Sequence, residues 1–301
     1  MRTCTKNHLA GLFALLTLAG CGEAEPAVEP GPIDVRVMSF NVLCSFCDKS
    51  YDPWAERVPY IADILTRHDP DLVGLEELTT GDEVREITAL VPGYDAVFLE
   101  DPDAPLFKEY GDATVLVRSS KFRILAHGSY FLSATPDQNW SSGWAGAQLW
   151  RIVTWVHLRQ RSDGRELFFA ATHFDNNTPN QEKSAPLLLE RTEPWAKRMP
   201  ALAVGDFNST PDSEAYRLLT SGATEGGLAL ANTFDAAVTF EQVHNQPATP
   251  AWDSGERIDH IFAASPEPWS CARWAVDQTV YGPSKKYPSD HFPITADVTL
   301  E

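Results

Sequence analysis

Positive charge is what this sequence has least of: its 301 residues hold 24 Lys and Arg against 42 Asp and Glu, a formal charge of −18. A protein that grips a long polyanion neutralises its phosphates with clustered cations. Here basic residues adjoin only in pairs, such as Lys285-Lys286, which argues against extended DNA or RNA as a partner and leaves small anions open. Cysteine is also scarce. The five are Cys4, Cys21, Cys44, Cys47 and Cys271, and no second thiol pair stands beside Cys44-x-x-Cys47 to complete a zinc site. That pair is read as either a structural disulfide or two free thiols. No apolar run approaches the roughly 20 residues of a membrane-spanning helix. Repeats, low-complexity blocks and a second linker are absent too, so nothing divides the chain beyond its N-terminal region.

That region has its own logic. Arg2 and Lys6 precede an uncharged stretch over 9–19, the pattern of an export signal. The stretch ends in Leu18-Ala19-Gly20-Cys21, which resembles the bacterial lipobox. The resemblance implies cleavage after residue 20 and a lipid on Cys21; the alternative is an ordinary secretory signal that happens to contain a cysteine. Residues 22–32 mix Glu, Ala, Pro and Gly with little to bury, as expected of an extended tether. The expected organisation is a signal peptide over 1–20, a lipid-anchored tether over 21–32, and one domain over 33–301. The expected location is the bacterial cell envelope. No Asp directly follows Cys21, which in a host with two membranes favours the outer one.

Within the domain, 34–43 alternates as a strand should, and Trp54, Val58, Ile61 and Leu65 recur at helical spacing up to Asp69-Pro70. A buried strand is expected over 71–76 and a helix near 82–90. Further strands are expected over 113–118, 122–132, 151–158, 167–172, 201–205, 258–263 and 294–300. A helix is expected to run from the Ser209-Thr210-Pro211-Asp212 segment to Leu219, with Thr210 or Asp212 as its cap. Strands toward both ends with helices between them predict two packed sheets flanked by helices.

Chemically capable residues gather where these apolar strands end. The places are Ser39-Phe40-Asn41, Leu75-Glu76-Glu77, Thr172-His173-Phe174-Asp175, Gly205-Asp206-Phe207-Asn208, Arg257-Ile258-Asp259-His260 and Ser289-Asp290-His291. Each alone is commonplace, because Asn after a strand forms turns and a lone His is often structural. In this order the six motifs resemble the endonuclease/exonuclease/phosphatase superfamily. Tyr130-Phe131-Leu132-Ser133-Ala134-Thr135-Pro136, Gly143-Trp144, Arg151-Ile152-Val153-Thr154-Trp155 and Tyr287-Pro288-Ser289-Asp290-His291-Phe292-Pro293 are similar to a bacterial subgroup of metal-dependent hydrolases.

The resemblance implies a four-layered α/β sandwich of the deoxyribonuclease I type, with two mainly antiparallel sheets between helices. It also implies site roles, which suit these residue types. Asn41, Glu77 and Asp290 would hold Mg²⁺, with Mn²⁺ as a substitute, through hard oxygen ligands. Asp206 would orient or deprotonate water, Asn208 would bind that water or a phosphate oxygen, and His173 would donate to the phosphate. Asp259 would fix the tautomer of His291, and Arg151 either adds a phosphate contact or makes a structural ion pair. Three departures stand out: the family usually has Gln where this chain has Glu76, His where it has Asn176, which bears on substrate contacts, and Tyr where it has His260. No residue of 100–110 is assigned a part. Trp140 and Trp144 either meet a sugar or lipid or pack beneath their loop.

The expected activity is Mg²⁺-dependent hydrolysis of a phosphate monoester or small phosphodiester, such as a sugar phosphate or phospholipid head group, by a monomer held at a membrane through Cys21. The alternatives are an extracellular nuclease and a surface binding module that keeps the fold without turnover.

Overall fold

A computed structural model describes residues 31–104, 108–222, 225–247, 250 and 256–301. The signal, Cys21 and nearly all of the tether lie outside the described residues. In chain order the elements are β1 (Ile33–Asn41), α1 (Trp54–His68), β2 (Leu72–Glu76), α2 (Gly81–Leu90), β3 (Tyr94–Glu100), β4 (Glu109–Arg118), β5 (Phe122–Phe131), β6 (Ile152–Gln160) and β7 (Glu166–His173). There follow α3 (Thr178–Ala196), β8 (Ala201–Asp206), α4 (Glu214–Thr220), β9 (Ala231–Asn232), α5 (Thr233–Ala236), β10 (Ala237–Val243), β11 (Asp259–Ala264), β12 (Trp269–Asp277) and β13 (Ile294–Leu300).

Two sheets form, of seven strands in the order β10-β12-β13-β1-β2-β4-β3 and six in the order β5-β6-β7-β8-β11-β9. Parallel pairing is confined to β1 with β2, β10 with β12 and β7 with β8. The sheets are thus mainly antiparallel, as the sequence predicts.

Three apolar cores separate four layers. Side chains of alternating parity along β1 go opposite ways: Val35 and Val37 face the other sheet, while Met38 and Phe40 face α1 and α2. On the far side, Leu188 and Leu189 of α3 and Leu219 of α4 cover Phe168 and Ala203 of the second sheet. Strands buried on both faces carry continuous apolar runs. Burial of such runs is the main favourable term holding the layers together.

The sheets approach closely over the site. A Cβ on Gly74 would stand 2.5 Å from the Val204 side chain across the interface, and one on Gly205 would stand 1.9 Å from the Thr172 carbonyl oxygen. Gly205 also has φ +150°. Any side chain at these positions would push β2 off the second sheet or β8 off β7.

Some expectations need correction. The cap of α4 is neither Thr210 nor Asp212: Ser213 Oγ accepts from the Tyr216 N–H at 3.2 Å. Thr210 donates instead to Asp212. Helix α2 starts one residue early, at Gly81, on a capping box made by Thr80 and Glu83. Strands β3, β10 and β12 and helix α3 carry no sequence-based expectation. Helix α3 contains Pro186 and Pro194, which argue locally against a helix, and its burial against the second sheet overrides them.

Candidate active site

Four of the six motifs end a strand, β1, β2, β7 or β8, whereas Asp259-His260 opens β11 beside the end of β8 and Ser289-Asp290-His291 lies in the loop before β13. Several of these exits are made through left-handed backbone. Leu43, Glu77 and Asn208, just past β1, β2 and β8, have φ of 58°, 68° and 47°, a conformation that side chains other than Gly and Asn adopt at a cost. It turns each chain sharply at the strand end and so aims neighbouring side chains at one point.

A buried layer lies deepest. Asp206 is 2% exposed and His173 1%. His173 Nε2 lies 3.4 Å from Asp206 Oδ2, and its Nδ1 lies 3.0 Å from Asp112 Oδ1. Arg151 Nη1 stands 2.6 Å from the same Nδ1 and 3.5 Å from Asp112 Oδ2. One nitrogen cannot donate to Asp112 and accept from Arg151 at once. Burial and the Arg151 guanidinium oppose a charge on the ring, but Asp112 and Asp206 outweigh them and push His173 up to about 9. The Nδ1 proton therefore faces Asp112, and Arg151 is the second cation on that carboxylate.

Asp112 also accepts from the Glu77 N–H at 2.8 Å. It was not assigned a part from the sequence. The only local signal is an acid inside the apolar run of β4; its partners come from three other strands or strand ends. Arg151 makes the ion pair, with Nε buried and unpartnered.

A more open layer lies above. His291 Nδ1 meets Asp259 Oδ2 at 2.9 Å, and its Nε2 lies 3.7 Å from Asp206 Oδ2. Burial opposes the charge on His291, but Asp259, Asp206 and Asp290 push it up to about 11. Asp206 shows the reverse balance: burial disfavours its ionisation, yet His173, His291 and the Asn208 N–H at 2.8 Å hold it well below the usual carboxylate range. Burial lifts Asp259, against the pull of His291. Asn208 Nδ2 donates to the Phe174 carbonyl at 3.0 Å, which fixes its amide plane.

Glu77 and Asn41 sit together. Asn41 Nδ2 donates to Glu77 Oε1 at 3.0 Å and to Asp206 Oδ2 at 3.1 Å, while its Oδ1 accepts from the Leu43 N–H at 3.1 Å. As folded, Asn41 orders two carboxylates; lending its oxygen to a metal would require the amide to turn and release Leu43. Glu77 Oε2 accepts from the Cys44 N–H at 2.9 Å. Asp290 is exposed at the rim.

Both Glu77 and Asp290 act on one buried cation, Arg57, whose charge is disfavoured by burial and favoured by these two acids. Its guanidinium donates to the carbonyls of Asp52, Val42, Leu43, Cys44 and Pro288. Arg57 thereby ties the exit of β1 to the loop that carries Asp290, a part the sequence did not disclose.

The residues fit a hard divalent cation. Glu77, Asp206, Asp259 and Asp290 converge around His173, His291, Arg151 and Arg57, and Asp259 Oδ1 is buried without a partner. Asp206, Asp259 and His291 offer ligand atoms within 4.8 Å of one another. Cys44 and Cys47 also approach Glu77, but their sulfurs are joined in a disulfide. A disulfide is no ligand for a hard ion.

Two of the three departures, His260 and Glu76, have structural answers. His260 is buried, its Nδ1 3.0 Å from Asn232 Nδ2 and its Nε2 2.8 Å from the Ser209 carbonyl, so it braces the loop behind Asp206. Glu76 is buried with neither carboxylate oxygen bonded; burial and then Asp259, Asp206 and Asp112 push it well above its usual range. Trp140 packs beneath its loop against Phe131 and Trp150, and Trp144 lies under the Lys183 ammonium.

A four-layered sandwich with acids and histidines converging at one margin of its two sheets defines a hydrolase of the deoxyribonuclease I-like class. A family model described as the endonuclease/exonuclease/phosphatase family matches residues 38–291, and the chain belongs to that family, whose members are hydrolases acting on phosphate esters and are generally dependent on divalent metals.

Among solved structures, it resembles an endonuclease/exonuclease/phosphatase family protein of Bacteroides thetaiotaomicron at 28% identity and TM-score 0.75, over 90% of this chain and 99% of that one. It also resembles a mannosyl-6-phosphatase of Bacteroides thetaiotaomicron at 27% identity and TM-score 0.75, over 88% and 99%. Among curated proteins it is similar to nocturnin of Drosophila melanogaster, 22% identical over 89% of this chain. The match spans about half (47%) of that relative's length.

Proposed function

We propose that the protein is a Mg²⁺-dependent phosphohydrolase of a phosphate monoester or small phosphodiester. The observation that carries this reading is the ordered set Asp259, His291, Asp206 and His173 standing beside Glu77 and Asp290. Turnover at such a site needs a charged phosphate stabiliser, a water acceptor and an acidic metal cradle together, and the set has the residue types for each.

Glu77 and Asp290 would hold the ion, with Asn41 ordering Glu77. When bound, the ion polarises the phosphoryl group and neutralises charge on the leaving oxygen. The chain's residues do the rest. Asp206, kept ionised by two histidines, orients the attacking water. His291, charged and fixed by Asp259, offers Nε2–H to a phosphoryl oxygen, and Asn208 offers its second amide proton. His173 is buried with both nitrogens on carboxylates, so its part is to keep Asp206 ionised; with Arg151 it forms the positive floor under the phosphate.

The substrate class follows from charge, as the −18 balance repels a polyanion over about 8 Å, the Debye length at physiological salt. Small esters should be hydrolysed at least about tenfold faster than duplex DNA at equal phosphate, a barrier difference of about 1.4 kcal/mol. Phosphate and nucleotide release measured side by side in Mg²⁺ test this. Efficient duplex cleavage without activity on small esters would promote the nuclease instead.

A further inference from the structure

A groove of about 910 Å³ opens beside this site, near the upper end of the roughly 300–1,000 Å³ of small-molecule sites. It is lined by Phe46, Tyr110, Trp140, Leu149 and Trp150, and by polar and charged residues that include Thr79, Asp82, Lys108 and Glu109. Three of its walls are continuous with the site. Tyr110 is two residues from Asp112, Trp150 precedes Arg151, and Thr79 is two residues beyond Glu77. Phe46 projects from the loop closed by the Cys44–Cys47 disulfide, whose Cys44 N–H holds Glu77.

Surface chemistry narrows the occupant. Phe46 is 71% exposed and Leu149 56%, a cost in water that a ligand could recover. The polar tips of two floor aromatics are already engaged: the Tyr110 hydroxyl donates to the Trp150 carbonyl at 3.1 Å, and Trp140 Nε1 donates to Asp101 at 2.8 Å. These rings present faces and edges rather than donors. Part of the polar lining is engaged as well, Thr79 with Glu83 and both Asp82 and Glu109 with Arg85, so an alkyl chain, which needs only apolar surface, suits the groove better than a sugar, whose hydroxyls need hydrogen-bond partners when they leave water.

We infer that this groove is the leaving-group subsite and takes an apolar chain, so that the substrate is an amphipathic phosphate ester of the lipid-phosphate class. The inference rests on the phosphohydrolase reading above and deepens it. Phosphate sits over His291 and Asn208, and the ester's carbon chain runs along Tyr110 and Trp150 toward Phe46.

The test is a series of monoalkyl phosphates from ethyl to octyl, each below its micelle concentration in Mg²⁺, with mannose 6-phosphate alongside. Full burial of a methylene is worth about fourfold, so a half-open groove should raise kcat/KM about twofold per methylene. Octyl phosphate should therefore exceed ethyl phosphate by at least about thirtyfold. In the Phe46→Ser, Leu149→Ser double variant, whose positions are exposed and tolerate the change, the octyl-to-ethyl ratio should collapse toward one. A flat series with measurable turnover, or mannose 6-phosphate outpacing octyl phosphate, overturns the groove assignment while leaving the hydrolase standing. If no ester turns over, the hydrolase reading fails, and calorimetric binding of octylphosphonate decides the groove. Affinity that falls in the double variant supports it; affinity independent of chain length and of Phe46 overturns it.

Discussion

The carboxylate of Asp259 holds the imidazole of His291 at 2.9 Å, and the far nitrogen of that ring stands 3.7 Å from Asp206. In the proposed reaction Asp259 acts through His291, whereas His291 and Asp206 face the reacting groups. His291→Ala and Asp206→Ala should each lower kcat by roughly two to four orders of magnitude with the fold retained. Asp259→Asn should cost less, because it changes only the orientation and charge of the ring. Steady-state kinetics with melting curves check this; near-normal kcat in His291→Ala would remove the ring from the reaction.

His260 makes stability fall on acidification. Burial depresses it from its ordinary 6.5 to about 4, with Arg257 adding to the effect and Asp206 opposing it. The fold keeps the ring neutral while the unfolded chain takes up a proton. Its contribution is therefore whole above about 6.5 and lost between there and about 4, a change of roughly 3 kcal/mol. Asp206 is held below this window. Denaturant unfolding at pH 7, 5.5 and 4 should show wild type losing about that much more than His260→Asn. Parallel pH profiles would contradict it.

Arg57 should be the costliest surface-remote change near the site. Its five bonds to carbonyls have no substitute, and Arg57→Met would leave buried acceptors unpaired at about 1–3 kcal/mol each. A loss of at least about 3 kcal/mol in unfolding free energy is expected, together with weaker Mg²⁺ activation because Leu43, Cys44 and Pro288 come free. Unchanged denaturant midpoints would refute the clamp.

The sequence discloses most of the second sheet, because its strands are buried runs with turn residues between them. It also discloses the motifs that carry Asn41, Glu77, His173, Asp206, Asp259 and His291. It hides what depends on partners far along the chain. Asp112 looks like an ordinary strand acid until His173, Arg151 and the Glu77 N–H surround it. Arg57 looks like a helix-surface cation until the β1 exit folds over it. Helix α3 is hidden by its own prolines, and the neutrality of His260 exists only once Asn232 and Ser209 enclose it.

Cys21, outside the described residues, is proposed to carry lipid at the cell envelope. Among the described residues no helix is long and apolar enough to cross a membrane. With its proposed lipid site removed, Cys21→Ala should move from the membrane to the soluble fraction. Wild type recovered only as soluble, unmodified protein would refute the anchor.

The central claim is that Glu77 and Asp290 hold a divalent ion on which turnover depends. It is tested most directly by titrating Mg²⁺ into metal-stripped protein while reading heat of binding and phosphate release together. The account predicts one site whose occupancy and activity rise at the same Mg²⁺ concentration, with Glu77→Ala losing both. Full activity after exhaustive chelation, or binding that persists in Glu77→Ala, would contradict it.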